Sequence, residues 1–302
     1  MDTGSLLPAA HHQNRPAHTV KNVEASLEAF ISNPHISVHH AANLFELNKS
    51  TVNRTLQDHK FYQYKLQTCQ KLFDEDRACR RQFAEDEIIL IESDRDHLQN
   101  LFFSDEAHFH IYGGVNRQNY WYWNEENPSC YAEEPLYSPC VTVWAAIGEH
   151  GIIGPFFFEG NVNSGNYLQL LQNEFWPALH GLVHIDHARF MQDGTPPDWG
   201  RAVCEWLSEN FGDRWMGRDL PSMPWPARSP DLTPIDFFFW GYVKSKVYTT
   251  PIRDLDELRE RIVTAIKGIT VKTRYKAILG YRQRLHRCLE LDGEHVEITY
   301  AP

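Results

Sequence analysis

The chain has 302 residues, with 42% hydrophobic and 13% aromatic side chains, enough to fill one large core and a small one beside it. It carries 29 Lys and Arg against 40 Asp and Glu, a net charge of −11, and no apolar run approaches the roughly 18 residues of a membrane helix. Its six cysteines lie far apart without a Cys-x-x-Cys pair, which argues against a zinc ribbon and for reduced thiols in an intracellular protein.

An excess of acid looks wrong for a nucleic-acid binder, but its distribution matters more than its sum. Residues 101–243 hold 6 Lys and Arg against 18 Asp and Glu, whereas residues 244–290 hold 12 against 5 and residues 15–72 hold 7 against 4. An acidic middle between basic flanks suits a cation-binding centre with arms for a polyanion. Acids scattered over a solvated surface would give the same sums.

Residues 1–20 are rich in Pro, His and Gln and are expected to be disordered, with no basic-then-apolar run of a secretory signal. Residues 21–60 read as three short helices. Val23, Leu27, Phe30 and Ile31 recur at helical spacing, Ser37 can cap a second helix carrying Ala41, Ala42, Leu44 and Phe45, and Ser50 can cap a third with Val52 and Leu56 inward. That order is a helix-turn-helix, a DNA-binding motif, although generic three-helix packing produces it too. Its third helix would offer Lys49, Ser50, Thr51, Asn53, Arg54 and Gln57 to a groove, Arg and Asn being suited to base edges. Residues 61–100 are charged and helical in pattern, a plausible connector.

From residue 101 the texture changes to aromatic strand-like runs, "NLFFSDEAHFHIY" and "CVTVWAAIGEHGIIGPFFFEG". "NYLQLLQNEFWPAL" has the helical period, "ARFMQ" is a short buried strand, and "GRAVCEWLSENF" is helical again. "RSPDLTPIDFFFWGYVKSKV" begins a helix, with Thr233 as cap and Pro234 at its first position, and "LDELRERIVTAIKGI" is amphipathic. Strands, helix, strand and helices in this order predict a layered α/β domain over 101–290, followed by a tail at 291–302.

Three acids recur in comparable settings: Asp105 after "LFFS", Asp193 after "ARFMQ", and Asp236 after "SPDLTP". Each lies where an element ends or begins. Carboxylates so placed can hold two hard cations about 4 Å apart, which clamp both sides of a phosphoryl displacement. Each acid also has a bland account. Asp105 could be a polar strand-edge residue, Asp193 an Asx-turn residue before Gly194, and Asp236 a capping partner of Thr233. The pairs His108/His110 and His184/His187 lack a third soft ligand nearby and read as ordinary strand and loop histidines.

The stretches "FFSDEAHFHIYGGVNRQNYWYW", "VTVWAAIGEHGIIGPFFFEG", "FMQDGTPPDW" and "WPARSPDLTPIDFFFWGYVKSKVY" resemble the mariner-type transposases. The resemblance implies a ribonuclease-H-like fold and a catalytic and metal-binding triad of Asp105, Asp193 and Asp236 holding two Mg²⁺ (or Mn²⁺) ions. It also implies a homodimer acting in the nucleus on double-stranded DNA, with no membrane and no small-molecule substrate. The chain departs from the family in having Asp198 where His is usual, and in showing one helix-turn-helix where two are common. Two other readings remain: a DNA-binding protein recruited by its host without catalysis, and an unrelated metal-dependent nuclease.

Overall fold

The structure, a computed structural model, describes residues 20–34, 36–62, 69–113, 138–218 and 223–296. The chain divides into two compact units, residues 1–68 and 69–302. The expected disorder of 1–20 falls, apart from Val20, outside the described residues.

The smaller unit holds α1 (Val20–Ser32), α2 (Val38–Leu44) and α3 (Lys49–Asp58). Ser37 caps α2 by accepting the His40 N–H at 3.1 Å, as the sequence suggests. The cap of α3 is Asn48 rather than Ser50: its side-chain oxygen accepts the Ser50 N–H at 3.0 Å, and the helix starts at Lys49, earlier than a Ser50 cap would place it. Ala41, Ala42, Val52 and Leu56 form the core, flanked by Leu27 and Phe30. Ile31 and Leu44, expected inward, face solvent instead. Thr51, expected in a groove, is 7% exposed and packs inward with Val52, Thr55 and Leu56. The helical period puts 51, 52, 55 and 56 on one stripe, so Lys49, Ser50, Asn53, Arg54 and Gln57 are left outside.

The larger unit starts with α4 (Asp74–Ser93), the expected connector, which is an integral part of this unit. Phe83, Ala84 and Ile88 enter the main core, and α4 packs on α10 (Val271–Glu290). Arg80 is fully buried and reaches across the fold. Its guanidinium bonds both Asp231 oxygens at 2.8 and 2.6 Å, Ser229 Oγ at 2.7 Å, and the carbonyls of Gly293 and Glu294 at 2.8 and 3.1 Å. The tail beyond residue 290 is therefore packed as far as Val296, which is itself buried.

A five-stranded sheet has the order β3-β2-β1-β4-β5, with β1 (Leu101–His110), β2 (Cys140–Ile147), β3 (Ile152–Phe158), β4 (Arg189–Met191) and β5 (Trp215–Met216). The first three strands pair antiparallel, whereas β4 runs parallel to both β1 and β5. The two-residue period of a strand sends alternate side chains to opposite faces. Leu101, Phe103, Ala107 and Phe109 enter one core with α4, α8 (Gly241–Val247), α9 (Leu255–Lys267) and α10; Phe102 enters the other. That second core is closed by α5 (Ser164–Leu170), α6 (Trp176–His180) and α7 (Arg201–Phe211). Helix α9 buries Leu258, Ile262, Ala265 and Ile266, the stripe its sequence promises.

Candidate active site

The pairing of β1 with β4 decides where two of the acids lie. Phe103 pairs with Met191 in parallel register, so Asp105 and Asp193 each stand two residues further along neighbouring strands. Asp236 comes from the π-helical segment Ile235–Trp240, which leads into α8 and packs on β1. Thr233 Oγ1 accepts the Ile235 N–H at 3.4 Å, and Phe239 and Trp240 anchor the segment in the core. Trp240 has a second role: its indole N–H donates to Asp105 Oδ2 at 2.7 Å and holds that carboxylate in place.

Asp193 bears on Asp105, and both bear on Asp236. Burial, then the charge of Asp193, pushes Asp105 up to about 7, while the Trp240 hydrogen bond and Lys244 pull it back. Burial, then Asp105 and Asp193, pushes Asp236 up to about 8, again opposed by Lys244. A carboxyl group resists ionising where solvent is excluded and like charges already stand. Asp231, the other acid of the "SPDLTPID" stretch, belongs elsewhere. Although burial opposes it, its pairing with Arg80 and the Val296 N–H holds it below the ordinary carboxylate range.

Asp193 makes the Asx turn of its bland account and also stands among the other acids. Its Oδ1 accepts the Thr195 N–H at 3.1 Å, an Asx turn, and its charge still bears on Asp105 and Asp236. Gly194 follows at φ +81°, a conformation that favours glycine.

Two further acids lie behind the first three. Glu106, which the sequence reading passed over, points to the opposite face of β1 from Asp105. Asp198 is 2% exposed and accepts the Thr195 hydroxyl at 3.1 Å. Burial lifts both well above the ordinary range, Asp198's charge adding to Glu106 and Asp193's to Asp198. Glu106 Oε1 and Asp198 Oδ1 are buried without a hydrogen-bond partner. Nearby, Tyr167 donates to Gln192 Oε1 at 3.0 Å, and Gln192 Nε2 donates to the Asp198 carbonyl at 3.0 Å. The alternation of β1 was the available signal: Ser104 and Glu106 share a face that the apolar count alone assigns to core.

The donor set is all carboxylate oxygen, the chemistry of hard divalent cations such as Mg²⁺ and Mn²⁺. Among the described residues, no three His, Cys, Asp or Glu side chains are drawn into a closed ligand set. Asp105 and Asp193 are instead held by Trp240 and the Thr195 N–H.

The arginines of this region divide. Arg214 donates to the carbonyls of Ile185 and Ala188 at 2.7 and 2.6 Å and braces the entry to β4. Arg228 pairs with Asp76 at 2.8 Å. Arg218 lines a cleft of about 650 Å³ together with Asp193, Gly194 and Thr195. His108 is tied to Thr142 Oγ1 at 2.9 Å, and His184 sits by Asp186 on the surface, so neither histidine pair joins the acids.

A mixed sheet flanked by helices, with Asp105 on a central strand, Asp193 just past the end of its parallel neighbour and Asp236 on a helix packed across them, has a ribonuclease-H-like fold. The chain is similar in sequence to one transposase and in fold to solved structures of another. It is similar to the Tc3 transposase of Caenorhabditis elegans, 26% identical over 202 residues, or 65% of this chain and 57% of that protein. The chain thus matches less than two thirds of that relative's length. No family model matches.

Among solved structures, the fold is similar to a Mos1 transposase paired-end complex with the left transposon end: TM-score 0.70, 16% identity, 97% of this chain and 84% of that one. A Mos1 mariner paired-end complex with Mn gives a TM-score of 0.71 at 16% identity, covering 96% and 83%. The isolated Mos1 catalytic domain gives 0.58 at 16% identity, covering 76% of this chain and 100% of that one.

Proposed function

We propose that the chain is a DNA endonuclease and strand transferase of the transposase kind, acting on transposon ends with two Mg²⁺ or Mn²⁺ ions. The observation that carries this reading is that Asp105 on β1 and Asp193 just past the end of β4 each follow the parallel pair Phe103–Met191 by two residues, with Asp236 brought to them by the segment packed on β1. Asp105, Asp193 and Asp236 would hold the ions, which supply an activated attacking oxygen and stabilise the leaving one. The chain's own groups do the positioning. Trp240 fixes the Asp105 carboxylate, the Thr195 N–H fixes that of Asp193, and Lys244 offsets part of the charge on Asp105 and Asp236.

Lys49, Ser50, Asn53, Arg54 and Gln57 on the open side of α3 would meet double-stranded DNA; Thr51 is withdrawn from that set by its burial. Similarity to paired-end and strand-transfer complexes of Mos1 supports DNA ends as the substrate and two copies of the chain as the working unit; work on chromosomal DNA would place it in the nucleus. Structures of that relative with Mn and with Mg support the choice of cation. The test is nicking of supercoiled plasmid by the purified chain with Mg²⁺ or Mn²⁺. Cleavage that needs the metal and disappears in Asp193→Asn is expected; metal-independent cleavage would overturn the two-metal reading, and no cleavage would leave the chain as a DNA-binding protein without catalysis.

A further inference from the structure

The acids account for one side of the reaction centre, but a phosphodiester must also be gripped by groups of opposite charge, and its bases must go somewhere. The cleft beside Asp193 has about 650 Å³, within the roughly 300–1,000 Å³ usual for ligand sites. Its walls are the Asp193-Gly194-Thr195 turn, Arg218, the Met223–Arg228 stretch, and the Asp76–Asp86 side of α4. Its acids other than Asp193 are already engaged, since Asp76 pairs with Arg228 and Asp86 accepts from Gln82 Nε2 at 3.1 Å.

Arg218 is placed by a glycine. A side chain at position 194 would run into the Cβ of Arg218, so the arginine backbone lies directly on the turn that carries Asp193. Its guanidinium lies 5.9 Å from the centroid of the Trp199 ring. Trp199 is 39% exposed, whereas Trp144, Trp215, Trp225 and Trp240 are buried. An indole beside a cluster of buried acids, left open to solvent and lying against an arginine, does nothing for the core.

We propose that Arg218 and Trp199 form a nucleotide subsite at the mouth of this cleft, Arg218 on a phosphate and Trp199 against an unpaired base next to the scissile bond. The fork of a guanidinium matches phosphate oxygens, and an indole stacks on any base because every base has a π face. The subsite rests on the DNA-cleaving reading above and specifies it: the substrate end is opened, with a base out of the duplex stack, when it meets Asp193.

The experiment uses the full chain and a duplex with a short single-stranded overhang bearing 2-aminopurine beside the junction, compared with the blunt duplex. The expected result is quenching of 2-aminopurine on binding, lost in Trp199→Ala and kept in Trp199→Phe. The preference for overhang over blunt duplex should fall by about tenfold in Trp199→Ala. Arg218→Ala should flatten the salt dependence of overhang binding. Quenching unchanged in Trp199→Ala overturns the subsite, as does a Trp199→Phe chain that binds the duplex without quenching. Nicking of the same DNA with Mg²⁺ separates the two ideas. Nicking with quenching indifferent to Trp199 sinks the subsite alone, and Trp199-dependent quenching without nicking sinks the catalytic reading alone.

Discussion

Asp105 and Glu106 are neighbours on β1, yet they face opposite cores, and what each meets there differs. On the front, Asp105 has the Trp240 indole N–H as a donor, with Lys244 near enough to lower it. On the back, Glu106 and Asp198 share a closed space with Tyr167 and Gln192, and each keeps an oxygen without a partner. The front has donors and a cation to offset its charge; the back offsets charge only by staying protonated. The difference teaches that acids in one small region need not serve one purpose: the front set is arranged to ionise when a cation arrives, and the back set to remain neutral.

The sharpest way to break this comparison is to remove a front acid. Asp193→Asn should lower metal-dependent nicking by more than about 100-fold, beyond the 10- to 100-fold typical of outer-shell partners of a metal site. The same change at Asp231 should do something else. Asp231→Asn would leave Arg80 buried without its counter-charge and cost about 3–5 kcal/mol of stability, read as a lower denaturant midpoint, with Mg²⁺ affinity of the folded fraction unchanged. Equal loss of metal affinity in both variants would mean that Asp231 belongs to the front set after all.

On the back, Asp198→His should speed nicking by about tenfold, a barrier change of roughly 1.4 kcal/mol. It replaces the buried carboxyl beside Asp193 with an imidazole and gives Glu106 a basic partner. A rate no higher than native would show that the back set does not reach the chemistry. Trp240→Phe, which keeps the packing and deletes the donor to Asp105, should cost about 1–3 kcal/mol of stability and move Asp105 further up.

The smallest effect is the most diagnostic. Asp105 at about 7 and Asp236 at about 8 hold protons in the folded chain that the unfolded chain releases near pH 4. The folded state therefore binds more protons between those values, and stability without metal should fall as pH rises from about 4 to 8. Mg²⁺ displaces those protons, so its stabilising effect should grow over the same range. Urea midpoints at pH 5 and pH 8, with and without Mg²⁺, check both slopes.

Much of this was legible in the sequence, and the failures have physical reasons. Asp105, Asp193 and Asp236 are singled out by their shared placement where elements end or begin and by the resemblance, since each alone has a bland account. Aromatic strand-like runs gave the longer strands and the 3.6 period gave α9. Thr51 misled because threonine is polar by composition yet β-branched, and its methyl group suits the inward stripe of α3. Ser50 misled as a cap because Asn48 is as good a cap and comes first. α4 read as a connector because its many charges hide Arg80, whose partners lie more than 140 residues away. Pairings of that range leave no local pattern.

The reach of Arg80 also bears on how the larger unit is made. The guanidinium is enclosed by Ser229 and Asp231 on one side and by the backbone at Gly293 and Glu294 on the other, while Asp231 receives the N–H of Val296. A ribosome delivers Arg80 more than 200 residues before it delivers these last partners. Throughout that interval a charged group destined for a dry interior has nowhere to be buried at acceptable cost, so α4 cannot settle on the nascent sheet. Closure of α4 on this unit therefore waits for residues 293–296. A stop codon a few positions before residue 293 should yield a chain that is translated in full view of proteases and never becomes resistant to them.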